Sequence, residues 1–168
     1  MGCARAAVTK LAKGDWRRVG DLRGAEQRKA DVLAAMDNNH DVWLATADAS
    51  GRPHLIAVSS WWDGSRVTIA TTSGSRTAHN LVSIGLSRVA IGSPDDVIMV
   101  DATVDDSVGV GQADALLADG FANAVGWDPR QIGEDWAFFR LRPVRVQAYR
   151  GYDELEGRDV MRNGEWLA

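Results

Sequence analysis

Ser73, Gly74, Ser75, Arg76 and Thr77 stand together in the segment TTSGSRTAHNLVSIG, behind an apolar β-rich run and ahead of a helical pattern. The free backbone N–H groups of a helix start, with the helix dipole behind them, form an anion site. Arg76 adds a planar cation, Ser73, Ser75 and Thr77 offer hydroxyl donors, and Gly74 lets a ligand come close to the backbone. A phosphate group suits such a cluster. The same residues also read as an ordinary helix cap with one solvated arginine, so the segment takes its meaning from its surroundings.

Other catalytic patterns are thin. There is no Walker loop, and Gly109-Val110-Gly111 starts like a dinucleotide fingerprint but has Asp114 where the third glycine belongs. His40, His54 and His79 lack the spacing of a zinc site, and no metal is expected. Ser59-Ser60 has neither a nucleophile elbow nor a paired base, which argues against a hydrolase. His54 lies on a strand and faces either a ligand or solvent. Trp61 and Trp62 point to opposite faces of a regular strand, so at most one is a core residue while the other covers a pocket, a dimer partner or water. Asp101, within VIMVDATV, reads as an outward-facing residue of an alternating strand; facing inward it would need an arginine or backbone N–H partner.

The elements that must position these residues follow from pattern. Residues 25–38 form a first helix with Val32, Leu33 and Met36 on one face and Asn38-Asn39 ending it. Three strands follow, at residues 42–47, 53–62 and 66–71. They are joined by a reversal at Ala49-Ser50-Gly51-Arg52-Pro53 and by a primed two-residue turn at Asp63-Gly64. The helix behind the Ser/Gly cluster places Ala78, Leu81, Val82 and Gly85 at helical spacing. Strands at residues 88–92 and 97–104 flank the turn Ser93-Pro94-Asp95-Asp96. Residues 112–124 form another helix, stopped at Trp127-Asp128-Pro129-Arg130, and residues 137–149 form a long strand in which Pro143 requires an edge or a bulge. Asn163-Gly164 marks a last hairpin. Many strands, few helices and no regular β-α alternation indicate a mainly β protein with flanking helices, a barrel rather than a Rossmann sheet.

The strand GRPHLIAV, followed by WWDG and then IATTSGSRTAHNL, resembles the pyridoxamine 5'-phosphate oxidase-like flavin and deazaflavin oxidoreductases. The likeness extends loosely from about Ala25 to the end, through FFRLRPVRVQAYR and MRNGEWL. The resemblance implies an FMN-binding split β-barrel in a homodimer, with the cofactor at the dimer interface. It implies that Ile56, Ala57, Val58, Ser59 and Ser60 run along the isoalloxazine ring, and that Thr71, Ser75, Arg76, Thr77 and Asn80 surround the phosphate. The cofactor implied is FMN or the 8-hydroxy-5-deazaflavin coenzyme of the F-420 type. The family's flavin-oxidase pattern has basic residues where this chain has Ile56, Trp61 and Thr77, which argues against pyridoxamine 5'-phosphate oxidase activity itself and leaves Arg76 as the surviving cation. The expected activity is hydride transfer to or from a small organic substrate. The alternative is a protein of the same fold that sequesters flavin, haem or another planar molecule without turnover.

Composition agrees with one compact domain. The 168 residues are 45% hydrophobic, enough to bury a sizeable core, and the net charge is −4. With a pI near 5.3, neither nucleic acid nor an anionic membrane is an expected partner. Positive charge gathers at the front: Arg5, Lys10, Lys13, Arg17, Arg18, Arg23, Arg28 and Lys29 outnumber Asp15, Asp21 and Glu26 before residue 30. Residues 1–24 are accordingly set apart as a basic arm ahead of a split-barrel domain at residues 25–168. The arm reads as a disordered segment, a solvated helix face, or a clamp for the acidic tail of a deazaflavin coenzyme. Cys3 is the single cysteine, so a disulfide framework is excluded and a reducing cytoplasm is the expected compartment. Met1-Gly2-Cys3 lacks the Ser or Thr at position 6 that myristoylation wants, and no apolar leader or membrane-length span follows.

Overall fold

The computed structural model describes residues 22–168. Its helices are α1 (Ala25–Asn38), α2 (Arg76–Ile84) and α3 (Ala115–Val125). The strands are β1 (Asp41–Ala47), β2 (Pro53–Trp62), β3 (Val67–Thr72), β4 (Leu86–Ser93), β5 (Asp96–Gly109), β6 (Trp136–Tyr149), β7 (Asp159–Arg162) and β8 (Glu165–Trp166). Strands neighbour one another in the order β3-β2-β1-β4-β5-β6-β7-β8, and β3 also pairs with β6. That extra pairing closes β1 to β6 into a six-stranded antiparallel barrel, so no β-α alternation exists for a dinucleotide fingerprint to use.

The barrel closes unevenly. β2 pairs with β1 along residues 53–59, but meets β3 only at Ser60↔Ile69, Trp61↔Thr68 and Trp62↔Val67. β3 instead pairs along its whole length with β6, from Val67↔Leu141 to Thr72↔Trp136. The first seven residues of β2 therefore have a free edge facing the end of β3. Pro53, which cannot donate to a ladder, stands at that edge where its missing N–H costs nothing.

Cross-strand partners share a face, so Val42, Leu44 and Thr46 of β1 point inward with Val58, Ile56 and His54 of β2. Val42, Leu44, Ile69, Val89, Val100, Leu141 and Val146 fill the barrel, and Val32 and Met36 of α1 join this core. A second apolar cluster lies outside the barrel under α3: Ala70, Val110, Leu117, Ala118, Phe121 and Phe138, with Trp61, Trp127 and Trp136 packed against it. Trp61 and Trp62 do point to opposite faces, yet both pack, Trp62 on the barrel core and Trp61 on the second cluster. The expectation of at most one core tryptophan, with the other on a pocket, a dimer partner or water, is not met because α3 builds a second apolar cluster on the outer face of the sheet.

Gly120 of α3 lies against Trp61, and a Cβ there would stand 2.4 Å from the Trp61 ring. Helix propensity favours alanine over glycine by about 1 kcal/mol, but overpacking a core costs about 1 to 3 kcal/mol. Gly120→Ala is expected to lower stability in urea denaturation, and Trp61→Leu in the same chain to recover part of the loss. Alanine that stabilises the protein would show that the contact yields freely.

Several boundaries move for local reasons. Only Gly64 is left-handed between Trp62 and Val67 (φ 93°). The Asp63 carboxylate accepts from the N–H groups of Ser65 and Arg66, so the expected Asp63-Gly64 two-residue turn is a four-residue connection. The third helix starts at Ala115, not 112, because the Asp114 side chain caps it by accepting from Leu117 N–H. On α2 the buried face is Thr77, Ala78, Asn80 and Leu81; Val82, expected on the apolar stripe, is exposed, and Gly85 is the left-handed cap that ends the helix. Pro143 sits at a bulge: Asp101 pairs with Arg145 and Ala102 with Pro143, and the Val144 carbonyl between them accepts from Gly164 N–H. Asp101 faces outward and receives Arg88 at 2.5 Å. Arg5, Lys10, Lys13, Arg17, Arg18 and Cys3 lie outside the described residues. Arg23 and Arg28 from the same basic stretch are buried and bonded within the fold.

Candidate functional site

The free edge of β2 is where the residues proposed to run along a ring are found. Ser60 N–H donates to His40 O at 2.7 Å, which fixes even-numbered residues of β2 toward β1. By the alternation of an antiparallel strand, the N–H and C=O groups of Leu55, Ala57 and Ser59 then point away from β1, into the gap. Around that edge the surface is apolar and open in the single chain: Leu55 is 62% and Ile56 40% exposed, and Trp43, opposite Ala57, is 54% exposed. Val58 turns in against the barrel core. Ser60 is buried. Ser59 is tied at the far end, its hydroxyl donating to Asp41 at 3.1 Å and accepting from Trp127 Nε1 at 3.2 Å.

The other end of the gap is the junction of β3 with α2. Ser75 caps α2, its Oγ accepting from Ala78 N–H at 3.0 Å and lying 3.1 Å from Thr71 Oγ1. Because the cap satisfies Ala78 and His79 N–H donates to Ser75 O, the N–H groups of Arg76 and Thr77 are the donors left over at this helix start. Arg76 is exposed, and among the described residues no carboxylate engages its guanidinium. Two open donors, the helix dipole and a cation without a carboxylate partner among the described residues therefore lie at one helix start, an arrangement whose chemistry suits an anion.

Thr77 and Asn80, both expected around the phosphate, have their side chains turned into the fold. Thr77 Oγ1 lies 3.1 Å from His54 Nε2, and Asn80 Nδ2 donates to Thr46 Oγ1 at 3.0 Å. Thr77 thus presents its backbone N–H to the junction, and Asn80 holds α2 to β1. The structure brings Thr71, Ser75, Arg76 and Thr77 together at one end of the gap, while Ser59 lies five residues, roughly 17 Å, beyond His54 along β2. Sequence reasoning left His54 undecided between ligand and solvent; the side chain is half-buried on the inward face opposite Thr46, with Nε2 engaged by Thr77 Oγ1. It also missed Trp127, whose indole holds Ser59 and which lines an open groove of about 650 Å³ with Asp119, Asn123, Asp128 and Arg130.

Among the described residues no group of three or more His, Cys, Asp or Glu is arranged to hold a metal ion, and no helix is long and apolar enough to cross a membrane. No family model matches the sequence and no curated protein matches it. Solved structures do. An F420 reductase superposes with a TM-score of 0.58 and 18% identity over 67% of this chain and 93% of that one. A protein related to general stress protein 26, of the pyridoxinephosphate oxidase family, from Clostridium acetobutylicum gives 0.56 and 14% over 72% and 87%. A haem-binding protein from Mycobacterium smegmatis gives 0.59 and 19% over 86% of this chain and 60% of its own. The six-stranded closure, the parted β2 and β3, and these superpositions together give the chain the split-barrel fold of the pyridoxamine 5'-phosphate oxidase-like proteins.

Proposed function

We propose that the chain binds the phosphate of FMN or of a deazaflavin coenzyme at the start of α2, with the ring along the free edge of β2, and acts as an oxidoreductase on a small organic substrate. The observation that carries this reading is the shared gap: unpaired backbone groups of Leu55, Ala57 and Ser59 on one side, the open N–H groups of Arg76 and Thr77 with the Arg76 guanidinium at its end. The residues present fit such a group, since a planar ring with hydrogen-bonding edges matches a strand edge and its phosphate matches a helix start. When bound, the cofactor supplies hydride transfer, and the protein supplies position and a dry surface. On this reading no catalytic triad is required. A homodimer belongs to the proposal because Trp43, Leu55, Ala57, Leu86 and Ala90 share one outward face, and a second copy laid on it would cover the open side of the gap. Sedimentation of the 18.2 kDa chain at twice its mass tests that part.

Titration of the protein with FMN and with the deazaflavin coenzyme, followed by calorimetry and melting temperature, tests the rest. Binding of at least one with a raised melting temperature is expected; no binding of either sinks the proposal. Arg76→Ala removes the cation at the start of α2 and should lose about 1.5 to 3 kcal/mol of binding, roughly ten- to a hundredfold in Kd. An unchanged Kd would place the phosphate elsewhere.

A second reading, sequestration of a planar ligand without turnover, is favoured by a junction at which Arg76 is the cation found among the described residues, and by the haem-binding neighbour. Reduced cofactor offered with quinones, enones and tetrapyrroles separates the two: tight binding with no oxidation above background supports sequestration.

A further inference from the structure

We propose that His54 is a positioning residue that holds the phosphate end of the site in register with its ring end, an inference that rests on the cofactor reading above. β2 has no β3 partner along residues 53–59, so on that edge no strand links it to the β3–α2 junction. Besides the packing of Ala78 and Leu81 into the barrel core, two side-chain bonds hold α2 against β1 and β2. His54 Nε2 and Thr77 Oγ1 meet at 3.1 Å, and Asn80 Nδ2 reaches Thr46 Oγ1 at 3.0 Å. The four residues form a matched set: Thr46 and His54 are cross-strand partners on β1 and β2, and Thr77 and Asn80 are three apart on the buried face of α2.

The two bonds are not equivalent. Asn80 ties α2 to β1, which is already fixed by β2 and β4 on its two edges. His54–Thr77 is the single side-chain hydrogen bond, among the described residues, between α2 and the part of β2 that lacks a β3 partner. Thr77 is also one of the two residues whose backbone N–H opens toward the proposed phosphate. A shift of Thr77 therefore moves a donor, while His54 lies two residues before Ile56 on the ring strand. A ligand that has both a ring and a phosphate must satisfy both ends at once, and the His54–Thr77 bond sets their spacing. A ligand that has the ring alone needs β2 alone.

That difference is the test. Affinities are measured by calorimetry or fluorescence quenching for two matched pairs, FMN against riboflavin and the deazaflavin coenzyme against its phosphate-free riboside. His54→Ala and Thr77→Val are each expected to weaken the phosphorylated member of the bound pair by about tenfold and to leave the phosphate-free member within about twofold. His54→Gln, whose amide can still reach the Thr77 hydroxyl, restores most of the loss. The double variant His54→Ala/Thr77→Val is no weaker than either single one, as for two ends of one bond. Equal losses for both members of a pair, additive losses in the double variant, or no loss on His54→Ala overturn the inference and leave the cofactor reading standing. A wild-type protein that binds no member of either pair overturns both.

Discussion

Glu154→Ala is expected to destabilise the protein by about 3 to 5 kcal/mol, the scale for breaking a buried ion pair by removal of one member. Glu154 is fully buried and receives four donors: Arg23 N–H at 3.0 Å, Arg23 Nε at 3.2 Å, Arg23 Nη2 at 2.7 Å and Arg150 N–H at 2.7 Å. Arg23 is itself buried, with Asp31 2.8 Å from Nη1 and Asp96 3.4 Å from Nη2. The network joins the chain just before α1 to the start of β5 and the segment after β6, and removal of its central carboxylate leaves Arg23 with Asp31 and Asp96 alone. For a chain of this size the loss corresponds to a fall in melting temperature of at least about 6 °C. A loss below about 1 kcal/mol would mean that Asp31 and Asp96 suffice to hold Arg23.

The same carboxylate gives the prediction a pH signature. Burial pushes the Glu154 pKa upward, but the hydrogen bonds from Arg23 and from Arg150 N–H outweigh it and hold the group down from 4.5 to about 2. A group whose folded-state pKa lies below its unfolded one contributes stability above the unfolded value and loses it as protons bind to the native state. The difference in stability between wild type and Glu154→Ala should therefore be constant above about pH 5 and shrink between about 4.5 and 2. Urea titrations at intervals across that range read it directly. A gap that persists unchanged at pH 2 would assign the variant's defect to lost packing.

The contrast between Glu154 and Ser75 shows what the sequence could and could not say. Ser75 was legible because a cap, a glycine and a following apolar spacing are local signals, read within one turn of chain; β2 was legible at Pro53 and Trp62 for the same reason. The partner of Glu154 lies 131 residues away, and nothing local in YDELEG announces a buried carboxylate. Thr77 and Asn80 fall between these cases. Their places on α2 follow from spacing, but which face of the helix meets the sheet depends on β1 and β2, so polar side chains that looked free to meet a ligand are consumed by Thr46 and His54. The split of the barrel was implied by resemblance, whereas its cause, β3 leaving β2 at Ser60 to follow β6, is a long-range pairing that strand periodicity does not encode.

Phe121→Ala should cost about 3 to 5 kcal/mol as well, through a different part of the molecule. Phe121 is fully buried and meets Trp127 and Phe138 edge-on, at ring separations of 5.6 and 5.3 Å. It is the central side chain of the cluster that holds α3 to the outside of the barrel. The two cores are not independent. Ala70 and Phe138 belong to the outer one and their neighbours Ile69 and Phe139 to the inner one, so β3 and β6 carry both on opposite faces. Loss of Phe121 is therefore expected to lower the midpoint of a single cooperative urea transition with an unchanged slope, as Leu44→Ala inside the barrel would. A second transition in the variant would show instead that α3 unfolds by itself. Because Trp127 packs on this cluster and holds Ser59, the variant should also loosen the far end of β2. Amide exchange at residues 57–59 then rises beyond what the global loss accounts for, and if it does not, the Trp127–Ser59 bond is carried by the loop alone and the outer core has no hold on the ring strand.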